Sequence, residues 1–227
     1  MEEAELIKRY NIDIEKLKEE QIKLAKQISL NDKIDFSLSD RFGAFINIFL
    51  DNKILSCVIV CRRLLEKDGD KNMFEVLDMA YFYDKARFPY LSGFRAYREL
   101  PAMIEAFNKL NEKPDVVFIP AQGITHPRLG LASHFSLVAG IPAIGVANVI
   151  NNCEIKEQDI FKSSKKIGKV LVSKIGSKPM YISPGNDISI KTSYELCKEF
   201  IKLPHKLPEP LVLAKKYSKE VMEELRR

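Results

Sequence analysis

Two apolar runs, residues 42–50 (FGAFINIFL) and 54–61 (ILSCVIVC), are separated only by Asp51-Asn52-Lys53. Aromatic and β-branched runs of that length around a short Asp/Asn turn predict an antiparallel hairpin. Residues 66–72 form a polar turn, and the run 73–82 predicts a third strand beside the hairpin. After residue 114 the pattern alternates: strand 116–119, helix 129–139, strand 142–147, a further strand pair at 170–175 and 180–182, then helices at 193–201 and 210–227. Residues 13–29 carry Ile14, Leu17, Ile22, Leu24, Ala25 and Ile28 near helical spacing, and 98–110 predicts another helix. Residues 32–40 read as a polar linker. Three antiparallel strands followed by strand–helix–strand units predict an α/β fold, a mixed sheet with helices on both faces. With no internal repeat or composition break, residues 1–227 are expected to form one domain.

A chain of 227 residues, 46% apolar and 30% charged, is long enough for one substantial core. No apolar run reaches the roughly 18 residues that span a bilayer. The N-terminal MEEAELIKRY is acidic and amphipathic, unlike a secretory leader, so an intracellular, cytoplasmic location is expected. Cysteines 57, 61, 153 and 197 show no CxxC spacing and are expected as small buried apolar residues. Net charge is +5, and the stretch 160–186 holds six lysines and no acid, Lys165 and Lys166 among them. Such a stretch suits phosphate contacts, and equally a solvated surface.

The segment 114–134, PDVVFIPAQGITHPRLGLASH, runs from a β-branched strand through a small-residue loop into a helix. That arrangement builds sites in α/β proteins. Its strand stops at Pro120, and its loop holds no carboxylate. Together with FPYLSGFRAYRELPAMIEAF, IPAIGVAN, PMYISPGNDIS and LPEP, in this order and spacing, the segment resembles the endonuclease V family. The resemblance spans nearly the whole chain. It implies a ribonuclease H-like fold and a nuclease for deaminated bases, chiefly inosine, in DNA or RNA. A damaged base costs least to flip out of the stack, and Mg²⁺ held by carboxylates would activate water.

Carried over residue by residue, the resemblance implies a wedge at Tyr90 with Gly93, a base-side loop at Gly123, and a turn at His126-Pro127-Arg128. Ser92 stands where the family usually has proline, and one residue between Pro127 and Gly130 is missing. Glu99 matches a metal-binding glutamate and His126 a polar catalytic position. The family's other chemical positions fall on Ile46, Pro120, Asn148 and Asn186, none of which brings a carboxylate. Asn47, next to Ile46, is expected to face away from the site, because alternate strand residues point oppositely. Asp51 and Asp115 lie too far along their strands, Asp51 by roughly 16 Å. His134 is expected as a satisfied core histidine. Arg95, Arg98 and Arg128 are candidate phosphate contacts.

These residues predict a nucleic-acid-binding protein, with Tyr90, Gly93, Gly123, Arg128, Lys165 and Lys166 on the binding side. The ligand is DNA or RNA, inosine-containing, single-stranded or branched. Glu99 is the one metal ligand left, and Mg²⁺ is held weakly or not at all, with cleavage lost or weak. A second reading is an active nuclease of DNA repair or RNA processing with a rearranged site around Glu99, His126 and Asn47. A third is a nuclease fold reused as a protein-interaction scaffold.

Overall fold

The computed structural model describes residues 3–64 and 73–226; the expected polar turn at 66–72 lies outside them. Alternation in the long runs produces the sheet. Strands β1 (Arg41–Leu50), β2 (Lys53–Leu64) and β3 (Met73–Lys85) pair antiparallel. The β1–β2 loop is two residues, Asp51-Asn52, and Asp51 adopts φ 54°. Left-handed backbone there is what an Asp/Asn hairpin turn supplies. Strands β4 (Val116–Ile119) and β5 (Ala143–Ala147) join β1 in parallel. An antiparallel run then follows through β9 (Met180–Asn186), β8 (Lys165–Leu171), β7 (Asp159–Lys162) and β6 (Glu154–Lys156). The nine-stranded order is β3-β2-β1-β4-β5-β9-β8-β7-β6.

The pleat splits the apolar residues between two cores. On one face Phe45, Val58, Val117 and Ile119 pack under α3 (Arg95–Asn108) and α4 (Leu131–Ala139). On the other, Phe42, Ala44, Val116 and Phe118 pack under α5 (Ile190–Glu199) and α6 (Glu209–Leu225). Helices therefore cover both faces, as expected. Cys57, Cys61 and Cys197 are buried free thiols, while Cys153 is only half-buried and donates to the Asn151 carbonyl at 3.3 Å.

Four details depart from the sequence-based expectation. β8 lies at Lys165–Leu171 rather than 170–175. β6 and β7 add a hairpin with Glu157 at positive φ in its turn, and Ser163 and Ser164, also at positive φ, turn β7 into β8. These strands are short, and β6 is wholly exposed, so no apolar alternation marks it. The short helix α1 (Glu3–Arg9) buries no residue and leaves no periodic signal either. The N-terminal helix α2 is Ile14–Ala25, capped by Asp13, whose side chain accepts from Lys16 N at 3.0 Å. The linker 32–40 is docked: Asp32 accepts from Ser189 N and from Thr192 Oγ1, both at 2.6 Å, at the start of α5.

Candidate nucleic-acid interface

Strands β1, β4 and β5 run in one direction, so their C-terminal ends open on one side of the sheet. Ligand crevices of open α/β sheets lie there. A cleft of about 530 Å³ occupies that position. Its floor is Pro120-Ala121-Gln122 after β4 and Ala147-Asn148 after β5; its walls are the 90–96 loop and the 126–131 turn.

The floor is held by backbone packed too tightly for side chains. A Cβ on Gly123 would stand 2.1 Å from Pro184 O, and one on Gly130 would stand 2.1 Å from Gln122 O. Gly123 N donates to Ser183 Oγ at 3.1 Å, and Ile124 N to Pro184 O at 3.0 Å. Gly123 thus fixes the loop against β9, and Ser183, which no motif singles out, is its anchor.

The wall is tied by Arg128. Its Nε donates to Gln21 Oε1 at 2.6 Å, its Nη2 to Gly93 O at 3.2 Å, and its guanidinium lies 4.9 Å from the Phe94 ring centre. Gly93 has φ 79°, and a Cβ there would meet Arg128 Nη2 at 2.7 Å. Gln21 of α2 is fully buried and donates to Gly93 O at 3.1 Å. Arg128 thus joins α2, the 90–96 loop and the 126–128 turn through neutral acceptors, and it also lines the cleft. Gln21 escaped the sequence reading because a glutamine among EEQIK carries no apolar period.

His126 accepts from Arg128 N at 3.2 Å through Nδ1. That bond places the ring proton on Nε2, so the imidazole offers a donor rather than a lone pair. Burial, with the charges of Arg128 and Lys162 adding to it, lowers its pKa to about 4. His126 is therefore neutral at the cleft and presents its Nε2–H as a hydrogen-bond donor. Tyr90 stands at the rim, 66% exposed. Lys162 donates to Pro127 O at 2.8 Å on the same wall. Lys166 pairs with Asp159 at 2.8 Å, and Lys165 lies exposed on β8.

Glu99 is 3% exposed on α3. Asn47 Nδ2 donates to its Oε2 at 2.7 Å. Arg95 grips both carboxylate oxygens, Nε on Oε1 and Nη2 on Oε2, the latter at 3.0 Å. Arg95 Nη1 also donates to Pro120 O at 3.2 Å. The strand-parity expectation is corrected here: Ile46 packs into the α5–α6 core and Asn47 faces Glu99. The two neighbours do point oppositely, with Asn47 on the Glu99 side. The Arg98 guanidinium lies 4.2 Å from the Phe49 ring centre.

An endonuclease V family model matches residues 22–216 of this chain. The endonuclease V of Thermosipho melanesiensis is 36% identical over 225 residues, covering 94% of this chain and 90% of that protein. The protein of the same name from Dictyoglomus thermophilum is 34% identical over 217 residues, 90% of each. This chain belongs to the endonuclease V family. The crystal structure of the Bacillus subtilis endonuclease V superposes with a TM-score of 0.82 at 26% identity, over 96% of this chain and 95% of that one. The catalytic domain of human endonuclease V shares the fold, with a TM-score of 0.78 at 24% identity, over 94% and 98% of the two chains. The fold is the ribonuclease H-like one expected.

Within that family frame the expected chemical positions separate. Pro120 and Asn148 line the cleft. Asn186 does not: it sits at the far end of β9, opposite Ala143, and its Oδ1 accepts from Ser29 N at 2.8 Å. It ties the chain after α2 to the sheet, which corrects its expected place in the site. His134 is buried and packs edge-on to Tyr97, 5.6 Å between ring centres.

The residues around Glu99 do not fit a divalent cation. Mg²⁺ requires near-octahedral oxygen ligands and carboxylate charge. Here the one carboxylate already faces an amide N–H and a guanidinium. Pro120 offers only its carbonyl, which Arg95 already engages. Asn47 Oδ1 is a single neutral oxygen, buried without a partner. Among the described residues no three His, Cys, Asp or Glu side chains gather as a metal set.

Proposed function

We propose that this chain binds DNA or RNA, inosine-containing or single-stranded and branched, at the cleft beyond β4 and β5, with strand cleavage lost or weak. The observation that carries the reading is the pairing within one cleft of an exposed Tyr90 at the rim with Arg95, whose guanidinium neutralises the buried Glu99 behind it. An exposed aromatic gives a face on which a base stacks, or a wedge for the gap left by a flipped one. His126 Nε2–H supplies a donor without charge, suited to a base edge or phosphate oxygen. Lys162, Arg95 and the lysine-rich stretch 160–186 bring positive potential to that side. One supporting comparison is a Ciona intestinalis endonuclease V of the same fold, solved with a 24mer DNA containing an inosine followed by a ribo-adenosine. The protein is read as cytoplasmic; among the described residues no helix is long and apolar enough to cross a membrane.

Fluorescence polarisation with labelled single strands tests the reading. An inosine-containing strand is expected to bind more tightly than its unmodified counterpart, and both more weakly as salt rises, because phosphate contacts release counterions. Tyr90→Ala is expected to weaken binding by about tenfold, the low end of base–aromatic stacking, while leaving stability unchanged. Equal affinity for modified and unmodified strands removes the base pocket; no binding at low salt removes the nucleic-acid role and leaves a protein-interaction scaffold. A second reading, an active nuclease with a rearranged site, rests on the partnerless Asn47 Oδ1 beside Glu99. Cleavage with Mn²⁺ or Mg²⁺ that vanishes in Glu99→Ala would establish it.

A further inference from the structure

Arg95 opens α3 one turn before Glu99, and its side chain is 43% exposed while that of Glu99 is 3% exposed. The guanidinium lies between the carboxylate, through Nε and Nη2, and the Pro120 carbonyl, through Nη1. It thus bridges the end of β4 to α3, and both Arg95 and Pro120 line the cleft. A bidentate fork on a buried carboxylate is the strong form of this pairing. Guanidinium carries five N–H donors, so these three contacts leave two. The charge cannot be titrated away. A dication entering here would have to expel a guanidinium from its buried counter-ion.

Building on the nucleic-acid reading, we propose that Arg95 supplies, as part of the chain, the positive charge that a divalent cation would bring, and that a phosphodiester binds to its remaining N–H groups without metal. Glu99 then acts as a positioning residue that holds the guanidinium at the end of β4. Asn47 fixes the carboxylate from the β1 side. No bond is made or broken; the site is a phosphate clamp.

Polarisation of an inosine-containing single strand in EDTA and in Mg²⁺, at matched ionic strength, reads the proposal directly. The wild-type Kd is expected to agree within about threefold between the two. Arg95→Gln is expected to weaken binding in EDTA by about tenfold or more, the value of a hydrogen bond to a charged group. Because Arg95→Gln strands a buried charge, the pair Arg95→Gln/Glu99→Gln serves as the folded control, checked by circular dichroism, and is expected to bind as weakly. Electron paramagnetic resonance of Mn²⁺, whose free signal falls on binding, is expected to show no wild-type site. Wild-type binding that needs Mg²⁺, a tight Mn²⁺ site, or wild-type affinity in the double variant overturns the clamp while leaving the nucleic-acid reading intact. A wild type that binds no strand in either buffer overturns both.

Discussion

His134 shows how a single buried group sets a measurable property. Burial lowers its pKa to about 4 from the ordinary 6.5, and its Nδ1 has no partner in the core. Above pH 6.5 both folded and unfolded chains leave it neutral, and stability is complete. Between 6.5 and about 4 the unfolded chain takes up a proton that the folded chain refuses, so stability falls as pH falls. The slope is about 1.4 kcal/mol per pH unit for one such group. Urea denaturation of His134→Leu is expected to lose about 2 kcal/mol less than wild type between pH 7.5 and pH 5. Equal losses would mean the imidazole finds a proton-tolerant setting. That His134 lies in the core was legible from its place in LGLASH; that it would be satisfied there is corrected by its partnerless Nδ1. That Arg128 is a structural tie was not, because its partners Gln21 and Gly93 lie 107 and 35 residues away.

At the scale of elements, α2 is held to the cleft wall by few polar contacts. Gln21 donates to Gly93 O and accepts from Arg128 Nε, and Tyr97 Oη donates to Leu17 O at 3.1 Å. The helix packs few apolar residues inward and Gln21 is its only buried one among the described residues. Gln21→Leu fits the space but leaves the Arg128 guanidinium short of an acceptor. The expected cost is about 2 kcal/mol, with faster amide exchange in α2 and the 90–96 loop. An unchanged exchange pattern would show that packing, not this bond, seats α2. The long strands β1, β2 and β3 were legible because burial on alternate faces forces a two-residue period. β6 and β7 were not: exposed residues such as Glu154 and Lys156 obey no such period.

Across the whole molecule one sheet separates two cores, and β1 and β4 contribute to both. Neither helical layer has a sheet of its own, so losing either face exposes the backs of the same strands. Residues 1–227 are therefore proposed to unfold as one unit. Near- and far-ultraviolet circular dichroism and fluorescence are expected to follow a single coincident urea transition. Two separated transitions would divide the chain into domains.

Fold class, family kinship and the absence of a carboxylate at Pro120 were legible along the chain, because these depend on local period, local motif and residue identity. Tertiary structure alone decided that Asn47 rather than Ile46 faces Glu99, that Asn186 lies at the wrong end of β9, and that Arg95 fills the gap beside Glu99. Each of those depends on which side of a strand or helix meets a partner distant in sequence. A one-residue difference in register reverses the face of a strand residue, and residue identity carries no record of that register.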